Sequence, residues 1–587
     1  MSKKKGKAEY KQQPSIEQAL ACHSKGDLLK ADLMYRKILK SDPLNGLVLS
    51  QRGIIAASRG DFLLAKKLFS EAVAVEPKES MNYFNLGLAN RRLGLFAEAE
   101  AAYRSSIKYN PKFTEAYFNL GNIAKDRGQY DLAMDCYKRA LVLNNQHLSC
   151  YCGLSAVYME MGEYDEALPP LEKALNINPD HVAALVRMGD LYELLSQLDR
   201  AEEYVDRALA IEATNAHALR VKATILRRKG LFDKAIKVLL ERPVPDEQGL
   251  IEMQIHAELG KLFDKANDVD KAYFHFSESN RLMAMSPKGK GTDKYLFLGV
   301  LDKISVWLES ANHGALSDVE KHEESISPVF MVGFPRSGTT LMDQILDSHP
   351  AVRVLEEKPT INTVIERLDS DLGGYPEGLS SLAENEIRDL RDIYSSVVGF
   401  ELGASSNEEL VSKLRGMVLV DKMPLNIVHV GLIMKLFPGA RFVLALRHPC
   451  DVILSSFMQS FEPNSAMANF YTLEDSINLY VKAMGLWQRY VQEIPVKFHS
   501  IKYESLLSNF DREVKGLLDF IGLEWDDSLR NFDTHARARG TIRTPSYSQV
   551  TQPIYQTSKY RWLRYKKYFE PYMEKLQPYL EYFSYNE

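Results

Sequence analysis

Pro328-Val-Phe-Met-Val-Gly-Phe-Pro-Arg-Ser-Gly-Thr-Thr340 has the residue types and spacing to grip an anion, with one cation, Arg336, inside the loop. Val329 to Val332 is an apolar run too short for a free-standing helix, so it reads as a buried parallel strand that Gly333 ends. Thr339 and Thr340 then open an apolar helical pattern in Leu341, Met342, Ile345 and Leu346. Such a loop aims backbone N–H groups, and the positive end of the helix, at one point. The spacing from Gly333 to Gly338 follows the phosphate-loop pattern G-x-x-x-x-G-K-[ST], but Thr339 stands where the lysine belongs. The residues therefore predict a phosphate or sulfate group held without that lysine, with Arg336 presenting a planar fork to a tetrahedral oxyanion.

A second stretch, Phe442-Val-Leu-Ala-Leu-Arg-His-Pro-Cys-Asp-Val-Ile-Leu-Ser455, again reads as strand then helix. Arg447 falls at the strand's end and Ser455 further along the helix, so one can clamp a phosphate by charge and the other by a hydroxyl donor. The plainer role for Arg447 is an ion pair with Asp451. Between the two stretches, Val354-Leu-Glu-Glu-Lys-Pro-Thr360 carries two adjacent carboxylates, suited to taking a proton from a hydroxyl or, more blandly, to starting a helix.

Phe334-Pro-Arg-Ser-Gly-Thr-Thr340 resembles the 5′-phosphosulfate loop of sulfotransferases, which use 3′-phosphoadenosine 5′-phosphosulfate (PAPS), and Ala440–Ser455 resembles their 3′-phosphate segment. The run from Arg336 to Glu357 is similar to that of tyrosylprotein sulfotransferases. The resemblance implies PAPS as donor, with Arg336, Ser337, Gly338, Thr339 and Thr340 at its 5′ end and Arg447 and Ser455 at its 3′-phosphate. It also implies Glu357 as catalytic base with Glu356 as the alternative, Lys422 in Val420-Asp-Lys-Met-Pro424 near the leaving group, and Tyr503 near the adenine. No metal is implied. Gln459 departs from the pattern, standing where the tyrosylprotein enzymes carry an extra arginine, and Thr544–Val550, with Ser546 and Ser548, is only a loose match to a loop over the nucleotide. Lys559–Lys567, basic and aromatic, reads as a solvated helix or as the rim of an anionic acceptor site.

The elements upstream are periodic. Gly26, Gly60, Gly94, Gly128, Gly162 and Gly230 share one register of 34 residues, with Ser196 in the remaining slot, and Ala31, Ala65, Ala99, Ala133, Ala167, Ala201 and Ala235 follow five residues later. This resembles a tetratricopeptide (TPR) superhelix of about seven repeats over 12–285, ending in a degenerate cap. Such arrays offer a concave face to a peptide or protein, and Asn85 and Asn119, equivalent in adjacent repeats, are candidates for a peptide-backbone clamp.

The expected architecture is multidomain: a basic tail over 1–11, the all-α solenoid, a linker over 286–326, and an α/β, P-loop-like sulfotransferase domain over 327–587. Its mostly parallel sheet is expected from Val329–Val332, Met417–Val420, Arg441–Leu446 and Lys497–Tyr503. A net charge of −5 argues against a general nucleic-acid binder. No apolar stretch is long enough for a membrane span or a secretory signal. Five scattered cysteines fit reduced thiols, so a cytoplasmic protein is expected. A P-loop kinase or NTPase, and a TPR adaptor with an inactive nucleotide-binding domain, stay as alternatives. The acceptor is left open among peptide, carbohydrate, lipid and small alcohol.

Overall fold

The computed structural model describes residues 14–242, 249–310, 326–534 and 559–585. The chain divides into two compact units, Met1–Leu231 and Phe232–Glu587. The basic tail, most of the acidic junction and the 544–550 stretch lie outside the described residues. No described helix is long and apolar enough to cross a membrane.

The first unit is a succession of paired helices from Ile16–Ser24 to Ala216–Arg228. The six alanines of the 34-residue register in this unit, Ala31 to Ala201, are fully buried, as close helix crossings require. The glycines of the register take positive φ at the turn between paired helices, and Ser196, their substitute, adopts the same conformation at φ 62°. A side chain pays for that conformation where glycine does not. Ser196→Gly is therefore expected to stabilise the array by about 0.5–1 kcal/mol, seen as a higher urea midpoint. The loss of the bond that Arg228 donates to the Ser196 hydroxyl, 2.8 Å long and exposed, is the smaller effect. The two equivalent asparagines behave differently. Asn119 donates to the Glu115 carbonyl at 2.9 Å and accepts from Arg91 at 3.4 Å, whereas the Asn85 amide nitrogen is buried without a hydrogen-bond partner among the described residues.

The second unit contains five parallel strands: β1 (Val329–Gly333), β2 (Val352–Glu356), β3 (Val418–Lys422), β4 (Arg441–Leu446) and β5 (Lys497–Lys502), in the order β2-β3-β1-β4-β5. β1 is buried at every residue. Val329 and Met331 pack with Val420, Val443 and Ile501 under the helix Thr339–Asp347, while Phe330 meets the rings of Phe442 and Phe437 at 5.9 and 6.0 Å on the other face. From β1 the chain runs outward to β2, back to β3 and then across to β4. The reversal beside β1 leaves a crevice at the strands' carboxyl ends, where α/β sheets take their ligands.

β2 was not among the expected strands. Arg353 breaks its apolar run and the strand lies at the sheet's edge, so its terminal carboxylates looked like a helix start. Two stretches also differ from their expected places. The hairpin of helices Leu250–Lys265 and Val269–Met285, which the repeat-like spacing put in the array, belongs to the sheet's unit, where Asn280 donates to the Phe457 and Phe470 carbonyls at 2.9 and 3.3 Å. Within the expected linker, Lys294–Ser310 is a helix whose Trp307 ring would lie 2.7 Å from a Cβ at Gly431, an approach only glycine permits.

Candidate active site

The loop between β1 and Thr339–Asp347 is shaped by residues that tolerate crowding or a left-handed backbone. A Cβ at Gly333 would stand 2.7 Å from the Ala445 carbonyl oxygen and 2.8 Å from the Ser337 hydroxyl. Arg336 has φ 72° and Gly338 φ 98°, so the chain turns sharply twice before the helix starts. The first N–H groups of that helix have no acceptor within it and face the loop's mouth. Ser337 is buried, and its hydroxyl finds no partner among the described residues, an orphaned donor that an oxyanion would satisfy.

The second corner, at the end of β4, meets the first. Arg336 Nε donates to the Ser455 hydroxyl at 3.3 Å, and Arg447 Nη1 to the Arg336 carbonyl at 3.4 Å. The Arg447 guanidinium lies 5.0 Å from the centre of the Tyr503 ring, and a Cβ at Gly338 would stand 2.7 Å from that ring. Arg447 also approaches Asp451 at 4.0 Å, the ion pair that its spacing allowed. Burial raises the Asp451 carboxyl, and the Arg447 charge lowers it in part. Arg336, Ser337, Arg447, Ser455 and Tyr503, read from distant parts of the sequence, thus come together around one crevice. An orphaned hydroxyl, two guanidinium groups and an aromatic face suit a nucleotide with anionic groups on both sides of its sugar.

On the other side of β1, β3 presents Lys422 and β2 presents Glu356, its register partner. Glu357 follows at φ 50°, fixed there by its N–H donating to the Lys422 carbonyl at 2.8 Å. The fully buried Lys422 ammonium lies 2.8 Å from Glu357, 3.0 Å from Asp343 and 3.5 Å from Glu356. The Glu357 side chain is 43% exposed against 11% for Glu356, so Glu357 is the carboxylate an incoming group meets. Burial disfavours the Lys422 charge, but the Asp343, Glu357 and Glu356 carboxylates outweigh it and hold the ammonium above its ordinary pKa. Asp343 is raised, chiefly by burial and also by Glu356, against the lowering pull of Lys422.

Sequence reasoning missed Asp343. Its one signal was a carboxylate inside the helix that follows the loop. It also missed Asp421, buried next to Lys422, which accepts from Thr360 at 2.7 Å and Tyr394 at 2.9 Å and is pushed up by burial to about 6. These bonds tie the segment after Glu357 to β3. Within Lys559–Lys567, Arg561 and Arg564 pair with the buried Asp264, whereas Lys566 is exposed and Lys567 pairs at the surface with Asp270.

Residues 328–527 match the sulfotransferase family model, and residues 50–107, 114–147 and 158–225 match tetratricopeptide repeat models. The chain therefore joins TPR repeats to a sulfotransferase-family domain. It is 25% identical to an uncharacterized protein of Aquifex aeolicus over 54% of this chain and 40% of that one. With protein-tyrosine sulfotransferase 1 of Danio rerio the figures are 24%, over 40% of this chain and 65% of that one. With the protein-tyrosine sulfotransferase of Drosophila melanogaster they are 22%, 42% and 48%. The chain thus spans less than two thirds of the length of these relatives. Among solved structures, a tetratricopeptide repeat protein from Parabacteroides merdae covers 40% of the chain and 93% of its own, at 19% identity and a TM-score of 0.36.

Proposed function

Given a sulfotransferase-family domain joined to TPR repeats, we propose that this protein moves a sulfuryl group from PAPS to a hydroxyl acceptor, carried on a peptide or protein that the repeats recruit. The observation that supports this most is the meeting of two arginine-bearing corners, Arg336 against Ser455 and Arg447 against the Arg336 carbonyl, beside a carboxylate–lysine pair.

Arg336, Ser337, Gly338, Thr339 and Thr340 would hold the 5′ end of PAPS, Arg447 and Ser455 its 3′-phosphate, and Tyr503 its adenine. Bound there, PAPS supplies an electrophilic sulfur and a phosphate leaving group. Glu357, the exposed carboxylate of the pair, takes the acceptor hydroxyl's proton during attack. Lys422, kept charged by Asp343, sets a positive charge near the oxygen on which negative charge develops. Arg336 and the loop N–H groups steady the transferring oxygens. With these cations in place the reaction needs no metal ion. A cytoplasmic setting suits the five free cysteines.

3′-Phosphoadenosine 5′-phosphate, the desulfated nucleotide, is expected to raise the melting temperature, with about 2.7 kcal/mol of stabilisation at a hundred times its Kd. ATP with magnesium is expected to do little. The reverse order would indicate a kinase or NTPase, and no shift with either would indicate an inactive adaptor. Labelled-sulfate transfer from PAPS to fractionated extract then finds the acceptor.

A further inference from the structure

Asp264 lies far from the crevice in sequence, near the end of the helix Leu250–Lys265, and is buried. Its carboxylate accepts from Arg561 Nε at 3.1 Å and Nη2 at 2.8 Å, from Arg564 Nη2 at 2.9 Å and from the Tyr565 hydroxyl at 2.8 Å. Arg564 also donates to the Asp264 carbonyl at 2.9 Å. A short charged segment is thus pinned by one carboxylate in charge-assisted, partly bidentate bonds, the strong class of hydrogen bond.

The residue next to Arg561 faces the other way. Trp562 donates its backbone N–H to Asp451 at 2.8 Å, and its ring stacks on His448, with ring centroids 4.9 Å apart and planes at 16°. His448 follows Arg447, and its own N–H donates to Glu504 at 2.9 Å, a carboxylate that also accepts from the Tyr585 hydroxyl at 3.1 Å. The corner that carries Arg447 is therefore braced by the C-terminal segment, and that segment is braced by Asp264. Arg561 and Trp562 are adjacent, so little slack separates the two ends of the brace.

We propose that Asp264 is a positioning residue for the nucleotide's 3′-phosphate: through Arg561 and Trp562 it sets Asp451 and His448, and so fixes where Arg447 presents its guanidinium. The proposal rests on the sulfotransferase reading. Asp264 is not among the residues assigned to the nucleotide, and its side-chain bonds go to Arg561, Arg564 and Tyr565, so its removal should weaken only ligands that use Arg447. A carboxylate that merely stabilised the fold would affect all ligands alike.

The test compares, in the full chain, calorimetric affinities for 3′-phosphoadenosine 5′-phosphate and for adenosine 5′-phosphate, which lacks the 3′-phosphate. Asp264→Asn is expected to weaken the first about tenfold and the second by less than about twofold. Arg561→Met, which leaves Asp264 paired with Arg564 and Tyr565, should shift the same ratio in the same direction and serves if Asp264→Asn does not fold. The double variant should be no worse than the more severe single one, as expected for two members of one brace. An unchanged ratio in folded variants, whether both ligands weaken equally or neither does, overturns the proposal. An unaltered protein that does not prefer the 3′-phosphorylated nucleotide overturns the sulfotransferase reading itself, and the proposal with it.

Discussion

Glu357→Gln is expected to slow sulfuryl transfer by about 10²–10⁴-fold while leaving 3′-phosphoadenosine 5′-phosphate binding within about twofold. Glutamine keeps the shape and can still accept a bond from Lys422, but it cannot take the acceptor's proton. Lys422 retains Asp343 and Glu356 as partners, so the cluster loses only one of its three carboxylates. Glu356→Gln is the control. Its side chain is largely enclosed, and it should cost transfer much less. Single-turnover transfer to the identified acceptor, run alongside the binding measurement, separates chemistry from affinity. A full-rate Glu357→Gln enzyme with a slow Glu356→Gln enzyme would exchange the two roles.

What the sequence made legible was local. Gly333, Arg336, Ser337 and Gly338 sit within one turn, and their types alone imply a tight anion-binding loop. Similarly, the glycine and alanine register encodes the helix pairs because each repeat folds on its neighbours. Harder to read were features that depend on a neighbour far along the chain. Asp343 and Gln344 fall between apolar positions of a helix, yet both are buried, Asp343 3.0 Å from the Lys422 ammonium of β3 and Gln344 donating to Asp343 at 2.8 Å. Glu357 and Lys422 are joined by sheet pairing between β2 and β3, and β2 itself was hidden by Arg353. Arg561 and Arg564 looked solvated because Asp264, their partner, lies some 300 residues earlier. Helix periodicity does not carry information of that kind.

The same buried cluster gives the largest expected effect on stability. Lys422→Met removes the ammonium that lies among Asp343, Glu356 and Glu357, and Asp343, like Lys422 itself, is wholly enclosed. Breaking a buried pair by removing one partner costs about 3–5 kcal/mol, because the other charge is left without compensation. Replacing both, as in Lys422→Met with Asp343→Leu, should recover most of that loss while leaving transfer impaired. The pH dependence gives an independent check. Because the folded protein raises Lys422, its contribution is fully present below the ordinary lysine pKa and fades as pH rises through the higher folded value. Asp343 is raised too, so folding favours its protonated form, and without Lys422 that preference strengthens. The Lys422→Met deficit should therefore be smaller at pH 5, where Asp343 can bind a proton, than at pH 8, where it must either stay buried as a charge or take up a proton at a cost. Urea denaturation of the single and double variants at both pH values measures this. A deficit that does not change with pH, or one that Asp343→Leu fails to relieve, would mean that Asp343 is not the charge that Lys422 holds in place.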